Sequence, residues 1–293
     1  MNVHEILRQH HLRPRKGLGQ HFLVDEVHLA RIVAAAELTK ADVVLEIGPG
    51  LGTLTERLAE AAGRVIAVEL DSRMVAILAE TLAGRTNVHI VHGDILSLDP
   101  AQLVTEGPNV DISSLCPSSL VCPISYKVVA NLPYYITSAV IRHLLEARLP
   151  PSLMVLTVQR EVAQRMIARP PEMNLLAISV QLYASVEIVD RIPAGAFYPA
   201  PKVDSAVVRL RRYERPAVDV TDVESFFEVV KAGFGQRRKQ LRNALASGLG
   251  RSPASVAAVL RTAQVDPHRR AETLTLEEWA RLARAVDSLP AQC

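Results

Sequence analysis

Cysteine, aromatic residues and net charge are all scarce in this chain of 293 residues. The three cysteines, Cys116, Cys122 and Cys293, follow neither a metal-ligand spacing nor a disulfide pattern, so no metal site and no disulfide framework is predicted. No apolar run approaches the roughly 20 residues that a membrane helix requires, and the first 16 residues lack the apolar stretch of a signal peptide. These absences predict a soluble cytoplasmic protein that does not bind membranes.

The net charge of +2 does not by itself indicate a polyanionic partner, but the basic residues are clustered. The clusters are Arg8, Arg13, Arg15 and Lys16; Arg209, Arg211, Arg212 and Arg215; and Lys231, Arg237, Arg238, Lys239 and Arg242. Such runs are often only solvated faces of a protein. Three basic clusters in one chain make a nucleic-acid partner plausible.

Apolar runs alternate with helical patterns from about residue 26 to residue 213. The expected strands are 43–47, 65–69, 88–91, 127–130, 153–158 and 206–210, with helices at 51–61, 73–82 and 138–146 among them. This βαβ rhythm predicts an α/β fold with a parallel sheet, helices on both faces and ligands at the carboxyl ends of the strands. Residues 99–125 interrupt the rhythm and are interpreted as a surface excursion. Beyond Arg215 the pattern is helical (223–232, 237–246, a piece after Pro253, and 276–286), which predicts two domains, 1–214 and 215–293.

A glycine-rich loop, Glu46-Ile-Gly-Pro-Gly-Leu-Gly52, follows the first of these strands and brings Gly48, Gly50 and Gly52 to a strand–helix turn. Dehydrogenases carry similar loops, so the loop alone is weak evidence. Glu46 would repel a pyrophosphate but suits the cationic groups of S-adenosylmethionine, and no Lys or Arg accompanies the loop. Glu69 lies where a carboxylate would bind ribose hydroxyls, and Asp94 where one would accept from an adenine amino group. Three acids at the ends of three successive strands predict an S-adenosylmethionine site.

The stretch Asn131-Leu132-Pro133-Tyr134 follows an apolar strand, and it places an amide, a proline and an aromatic ring at the same edge of the sheet. The Asn131 amide oxygen can accept a hydrogen bond from an exocyclic amine, and Tyr134 offers a face for base stacking. A strand-terminating turn with Tyr134 in the core is the alternative. Phe197, in the proline-rich run 196–205, is predicted to form a second aromatic wall for an extruded base. The alternative is a proline-braced loop with Phe197 in the core.

These motifs together resemble the KsgA/RsmA family of ribosomal RNA adenine dimethyltransferases. The resemblance also includes the segment 19–23 (Gly-Gln-His-Phe-Leu) and the run 234–243 (Phe-Gly-Gln-Arg-Arg-Lys-Gln-Leu-Arg-Asn), so it covers most of the chain. It implies a Rossmann-like class I methyltransferase domain, with a mostly parallel seven-stranded sheet, followed by a small helical domain that binds rRNA. His21 and Leu23 carry over as residues that close over the cofactor, although many members have Asn at the position of His21.

The resemblance implies dimethylation of N6 on each of two adjacent adenosines, in the loop of the 3′-terminal helix of 16S rRNA within the small ribosomal subunit. Catalysis is assigned to Asn131, Leu132, Pro133, Tyr134 and Phe197. RNA contacts are expected from Arg237, Arg238, Lys239 and Arg242, placed at the start of a helix whose Leu241 and Leu245 face inward. A monomer is expected, as is a role in small-subunit biogenesis.

Two other functions remain open at this point. Erythromycin-resistance methyltransferases, which modify 23S rRNA, tend to read Asn-Ile-Pro-Tyr and lack the basic Gln-Arg-Arg-Lys run, so Leu132 and residues 237–239 favour the small-subunit enzyme. A non-catalytic ribosome-assembly factor of the same fold would be indicated by loss of Asn131 or Glu69, and both residues are present. A small-molecule methyltransferase is disfavoured by the basic helical domain.

Overall fold

The computed structural model describes residues 3–105, 125–236 and 238–288. Most of the surface excursion predicted at 99–125 therefore lies outside the described residues. The chain forms two compact units: the first comprises residues 1–163 and 186–212, and the second residues 164–185 and 213–293. In the described ranges, every helix is too short or too polar to cross a membrane.

The first unit is built on a seven-stranded sheet. The strands along the chain are β1 (Phe22–Leu23), β2 (Val43–Ile47), β3 (Arg64–Glu69), β4 (Val88–His92), β5 (Tyr126–Asn131), β6 (Leu153–Gln159), β7 (Ala184–Ile192), β8 (Phe197–Tyr198) and β9 (Ser205–Arg212). The sheet order is β4-β3-β2-β5-β6-β9-β7, while β1 pairs separately with β8. Strands β2 to β6 pair in parallel and β9 runs antiparallel to β6. The prediction of a mostly parallel sheet is confirmed.

In the described residues, seven helices accompany these strands or precede them in the chain. They are α1 (Val3–Gln9), α2 (Glu26–Ala35), α3 (Thr53–Ala61), α4 (Ser72–Thr81), α5 (Pro100–Thr105), α6 (Thr137–Leu145) and α7 (Arg160–Met166). Strands β2, β3, β5 and β6 are almost wholly buried, as expected for parallel strands covered on both faces. Strand β2 lies between β3 on one side and β5 on the other, so the order of the strands reverses at β2. This switch point opens a crevice at the carboxyl ends of the strands.

The second unit is helical and contains α8 (Leu175–Gln181), α9 (Val223–Phe234), α10 (Leu241–Gly248), α11 (Pro253–Thr262) and α12 (Leu276–Asp287). Its core holds Phe226 and Trp279, both fully buried. Helices approach closely at Gly233, where an added Cβ would lie 2.4 Å from the Trp279 ring. The predicted C-terminal helical region is thus observed.

The structure differs from the sequence interpretation in two places in this unit. The sequence places residues 164–185 in the first domain, whereas the structure places them in the second unit, with Met173, Ile178 and Leu182 buried in its core. The physical reason is that the apolar face of a helix packs against whichever apolar surface the fold brings next to it. The helix predicted to start at residue 237 begins at Leu241, so the basic run precedes α10 rather than forming its first turn. Leu241 and Leu245 are fully buried, as predicted.

Candidate active site

A cavity lies at the carboxyl ends of β2, β3, β4 and β5, where the crevice is expected. Most of the residues predicted from the sequence line it: His21, Leu23, Glu46, Gly48, Gly50, Glu69, Asp94, Asn131, Leu132, Pro133 and Tyr134. Gly52 and Phe197 are the exceptions. Five segments that are distant in the chain are therefore brought together around one cavity.

The glycine loop has a backbone that other residues adopt only with strain. Gly48, Gly50 and Gly52 have φ angles of +67°, +59° and +85°, in the left-handed region. A Cβ added at Gly50 would lie 2.9 Å from the ring of Phe22, so the loop and the N-terminal segment touch at this point. Gly52 lies outside the lining and serves as the N-cap residue of α3. The loop thus forms a cradle that a side chain at Gly50 would fill.

Glu69 ends β3 with both carboxylate oxygens engaged by backbone groups. Its Oε2 accepts the N–H of Gly50 at 3.0 Å, and its Oε1 accepts the N–H of Asp71 at 2.8 Å. Burial nevertheless raises the pKa of Glu69. Asp94 is exposed, and its Oδ1 accepts the N–H of Leu96 at 3.0 Å. In the described part of the chain, no group donates a hydrogen bond to its Oδ2.

Glu46 is the most deeply buried acid of the cavity, at 1% exposed. Burial raises its pKa to about 8; the nearby Thr55 hydroxyl opposes this rise and the charge of Glu69 adds to it. Within the described residues, neither Oε2 of Glu46 nor the Thr55 hydroxyl forms a hydrogen bond of regular geometry. A buried carboxyl oxygen without a partner costs free energy unless a ligand donates to it. Glu46 therefore suits the cationic groups of S-adenosylmethionine.

The Asn131 side chain is oriented by the N-terminal segment. Its Nδ2 donates to the backbone carbonyl of His21 at 3.0 Å, which fixes the amide with Nδ2 toward the protein. Among the described residues, Asn131 Oδ1 and the Leu132 carbonyl accept no recorded hydrogen bond, while the Leu132 N–H donates to Thr157 O at 3.3 Å. Two acceptors thus remain available at the end of β5, next to the glycine loop.

Tyr134 is held in place at both ends of its side chain. Its hydroxyl pairs with Ser205 Oγ at 2.7 Å, and its ring stacks on the His21 ring with centroids 5.9 Å apart. Burial raises the pKa of the Tyr134 hydroxyl. His21 Nδ1 in turn donates to Pro199 O at 2.6 Å. Tyr134 therefore presents a fixed aromatic surface at the cavity.

Phe197 does not occupy the position predicted for it. Its side chain is 3% exposed and belongs to the core cluster that also includes Leu23, its partner in the β1–β8 pairing. An aromatic residue in a proline-rich loop can fill the core as well as line a site, and the sequence pattern does not separate the two. In this structure Phe197 pairs with Leu23 of β1 in the core and is not a wall of the cavity.

The proposed RNA-binding residues lie in the second unit. Arg237 is outside the described residues. Arg238 and Lys239 are exposed in the turn before α10, and Arg242, in the first turn of that helix, donates from Nε to Asn243 Oδ1 at 3.4 Å.

Three residues that the sequence interpretation did not single out also bear on the cavity. Gln20 lines it and donates to Asp71, which follows the Glu69 strand end. Tyr135 lines it with 59% of its surface exposed, and an added Cβ at Gly19 would lie 3.5 Å from its ring. The sequence held one signal that could have identified Gln20 and Tyr135: each is adjacent in the chain to a predicted site residue, His21 and Tyr134 respectively.

Comparison with known proteins decides the family. A family model described as ribosomal RNA adenine dimethylase matches residues 11–287. The chain belongs to this ribosomal RNA adenine dimethylase family. It is 48% identical over 286 residues to a ribosomal RNA small subunit methyltransferase A from Dehalococcoides mccartyi, covering 98% of this chain and 93% of the relative. The protein of the same name from Moorella thermoacetica is 46% identical over 283 residues, covering 96% and 95%.

Solved structures agree with this assignment. The 23S rRNA methyltransferase ErmE matches with a TM-score of 0.68 and 30% identity, covering 91% of this chain and all of that one. A dimethyladenosine transferase from Plasmodium falciparum matches with a TM-score of 0.70 and 25% identity, covering 89% and 96%. The family uses S-adenosylmethionine, and the glycine cradle and the unpartnered Glu46 oxygen fit that cofactor.

Proposed function

We propose that this chain dimethylates N6 of two adjacent adenosines in the loop of the 3′-terminal helix of 16S rRNA. It acts as a cytoplasmic monomer on the small ribosomal subunit and takes part in the biogenesis of that subunit. The observation that carries the proposal is a pair of acceptors, Asn131 Oδ1 and the Leu132 carbonyl, to which no group in the described part of the chain donates, beside a cavity that fits S-adenosylmethionine.

The preference for the small subunit is supported by sequence similarity. Identity is 48% and 46% to the two small-subunit relatives and 30% to the 23S enzyme ErmE. Leu132 and the basic run at 237–239 favour the same choice. Because ErmE has a similar fold, large-subunit rRNA is included as a competing substrate in the test.

Several residues of the cavity would hold the cofactor. Glu69, with its two oxygens fixed by backbone N–H groups, would accept from the ribose hydroxyls, and Asp94 from the adenine amino group. Glu46 would bind the cationic end, while His21 and Leu23 close the cavity from the N-terminal segment. When bound, S-adenosylmethionine supplies an electrophilic methyl group on a positively charged sulfur.

The chain itself positions the amine. Asn131 Oδ1 and the Leu132 carbonyl accept hydrogen bonds from the target N6, which holds the nitrogen and favours a pyramidal geometry with an available lone pair. Tyr134 stacks on the adenine, a contact that contributes about 1–3 kcal/mol and helps to offset the cost of extruding the base. No strong base is required, because the methylated amine is acidic and loses its proton to water. Positioning of this kind lowers a barrier by several kcal/mol.

The substrate assignment is tested with purified protein, labelled S-adenosylmethionine, and small and large subunits from a strain that lacks the modification. Mass spectrometry then maps the modified nucleotides. We expect N6,N6-dimethyladenosine at two adjacent positions near the 3′ end of 16S rRNA and none on 23S rRNA.

Label on 23S rRNA alone would replace the proposal with the resistance-type activity. Absence of label with cofactor still bound would support an assembly factor that does not catalyse methylation. The Asn131→Ala protein, run in parallel, controls for a contaminating methyltransferase, because its rate of labelling should fall by about 100-fold or more.

A further inference from the structure

A chain of hydrogen bonds joins the N-terminal segment to the Glu69 carboxylate through Asp71. Gln20 Nε2 donates to Asp71 Oδ2 at 3.0 Å, and Gln20 Oε1 accepts the backbone N–H of Arg15 at 2.7 Å. The backbone N–H of Asp71 donates to Glu69 Oε1 at 2.8 Å. Asp71 therefore contacts, by its side chain and its backbone, two different parts of the cavity wall.

Asp71 is held in one place by its surroundings. Its side chain is 3% exposed, and its Oδ1 accepts from Arg73 Nε at 3.0 Å and caps α4 through the N–H of Arg73. The Arg15 guanidinium lies 3.8 Å from the same oxygen. The Arg73 hydrogen bonds outweigh burial, and together with Gln20 they hold the pKa of Asp71 at about 2. The carboxylate is therefore charged throughout the neutral range and is always available to Gln20.

The segment that Gln20 belongs to forms one side of the cavity. Residues 18–23 all line it, and the Asn131 side chain donates to the His21 carbonyl within this segment. Displacement of the segment would remove cavity wall from the cofactor and would release the Asn131 amide. The hydrogen bond from Gln20 to Asp71 is therefore made by a residue that lines the cavity and that directly precedes His21, the partner of Asn131.

We propose that Asp71 is a positioning residue for the cofactor, which holds Gln20 and the 18–23 segment closed and fixes the Glu69 carboxylate through its own N–H. The inference rests on the proposed cofactor site. Asp71 itself is not among the residues that line the cavity. Its removal should weaken cofactor binding more than it slows the reaction of the bound complex.

The test measures cofactor binding by calorimetry for the wild-type protein, Gln20→Ala, Asp71→Asn and the double variant. Loss of a hydrogen bond to a charged group should raise the dissociation constant for S-adenosylmethionine about tenfold or more in each single variant. Both changes break the same hydrogen bond, the one that Gln20 donates to Asp71. The double variant should therefore bind S-adenosylmethionine no more weakly than Asp71→Asn does. At saturating cofactor the bound ligand holds the 18–23 segment and the Asn131 amide in place, so kcat should stay within about threefold of wild type and the effect should appear in KM for S-adenosylmethionine.

Asp190→Asn is the matched control for loss of a buried carboxylate. Asp190 is 8% exposed and pairs with His28 at 2.6 Å and Arg31 at 2.8 Å, outside the lining of the cavity. It should lower the urea midpoint of unfolding about as much as Asp71→Asn does and leave cofactor affinity unchanged. Gln20→Ala keeps the Asp71–Arg73 pair, so it tests the attachment even where Asp71→Asn folds poorly.

Four outcomes would overturn the inference. Wild-type affinity in both single variants, or additive losses in the double variant, would refute the role of Asp71 while leaving the proposed function intact. A drop in affinity for Asp190→Asn equal to that for Asp71→Asn would reduce the effect to general destabilisation. Failure of the wild-type protein to bind the cofactor would refute the proposed function and this inference with it.

Discussion

Glu46 should make the stability of the cofactor-free protein decrease as the pH rises. Its folded-state pKa is about 8 against an ordinary value of 4.5, chiefly because burial penalises the charged form. The folded protein therefore binds this proton more tightly than the unfolded chain does. The stabilisation is fully present below about pH 4.5 and is lost as the pH rises through about 8. Linkage gives a slope of about 1.4 kcal/mol per pH unit within this window.

The perturbation is Glu46→Gln, and the assay is urea unfolding without cofactor at several values between pH 5.5 and 7.5. Over those two units the free energy of unfolding of the wild-type protein should fall by about 3 kcal/mol more than that of the variant. A change of stability that the amide causes at every pH cancels when the slopes are compared, so the slopes are compared and not the absolute stabilities. Glu161→Gln, at an exposed position on α7, is the control and should keep the wild-type slope.

Parallel pH profiles for the wild type and Glu46→Gln would refute the reasoning. They would mean that Glu46 titrates normally in the folded protein, with water or another donor satisfying its buried oxygen. The argument that this oxygen awaits a cationic group of the cofactor would then lose its basis.

Three further variants test the cavity and its RNA contacts. Gly50→Ala, at φ +59° and with its Cβ 2.9 Å from an aromatic ring, should weaken S-adenosylmethionine binding at least tenfold in calorimetry, whereas Gly84→Ala, with open space around it, should not. Tyr135→Ala should raise KM for small subunits about fivefold or more through lost base stacking, with cofactor affinity retained, and Tyr213→Ala, an exposed tyrosine of the second unit, should not. In Lys239→Ala, the slope of the logarithm of rRNA affinity against the logarithm of salt concentration should be smaller in magnitude by about one, because one phosphate contact is lost. Filter binding at several salt concentrations measures this slope.

The sheet was largely predictable because its central strands are continuous apolar runs bounded by turn residues. The strands expected at 43–47, 65–69 and 153–158 are observed at 43–47, 64–69 and 153–159. Strands β1 and β8 are two residues each, too short for any period to emerge, and β7 alternates weakly between buried and partly exposed positions. Residues 164–185 were misassigned because an apolar helix does not reveal in sequence which core it joins.

Some features of the site could likewise be predicted from the sequence, and others could not. Glycines with positive φ and acids at strand ends follow local rules, so spacing predicted that Gly48, Glu69 and Asp94 would lie together, and all three line the cavity. Burial is a property of the fold, and therefore the sequence pattern did not decide between the core position and the cavity wall for Phe197, which lies in the core. The Gln20–Asp71 contact joins positions 51 residues apart and had no local signal.

The central claim is that two acceptors at the end of β5 position the adenine amine, and a single-turnover measurement with Asn131→Ala tests it directly. Methyl transfer to small subunits is followed at saturating enzyme, while calorimetry gives the cofactor affinity of the same protein. The account predicts a rate of transfer lower by about 100-fold or more, with cofactor affinity within a few fold of wild type. Near-normal transfer by Asn131→Ala would contradict the account.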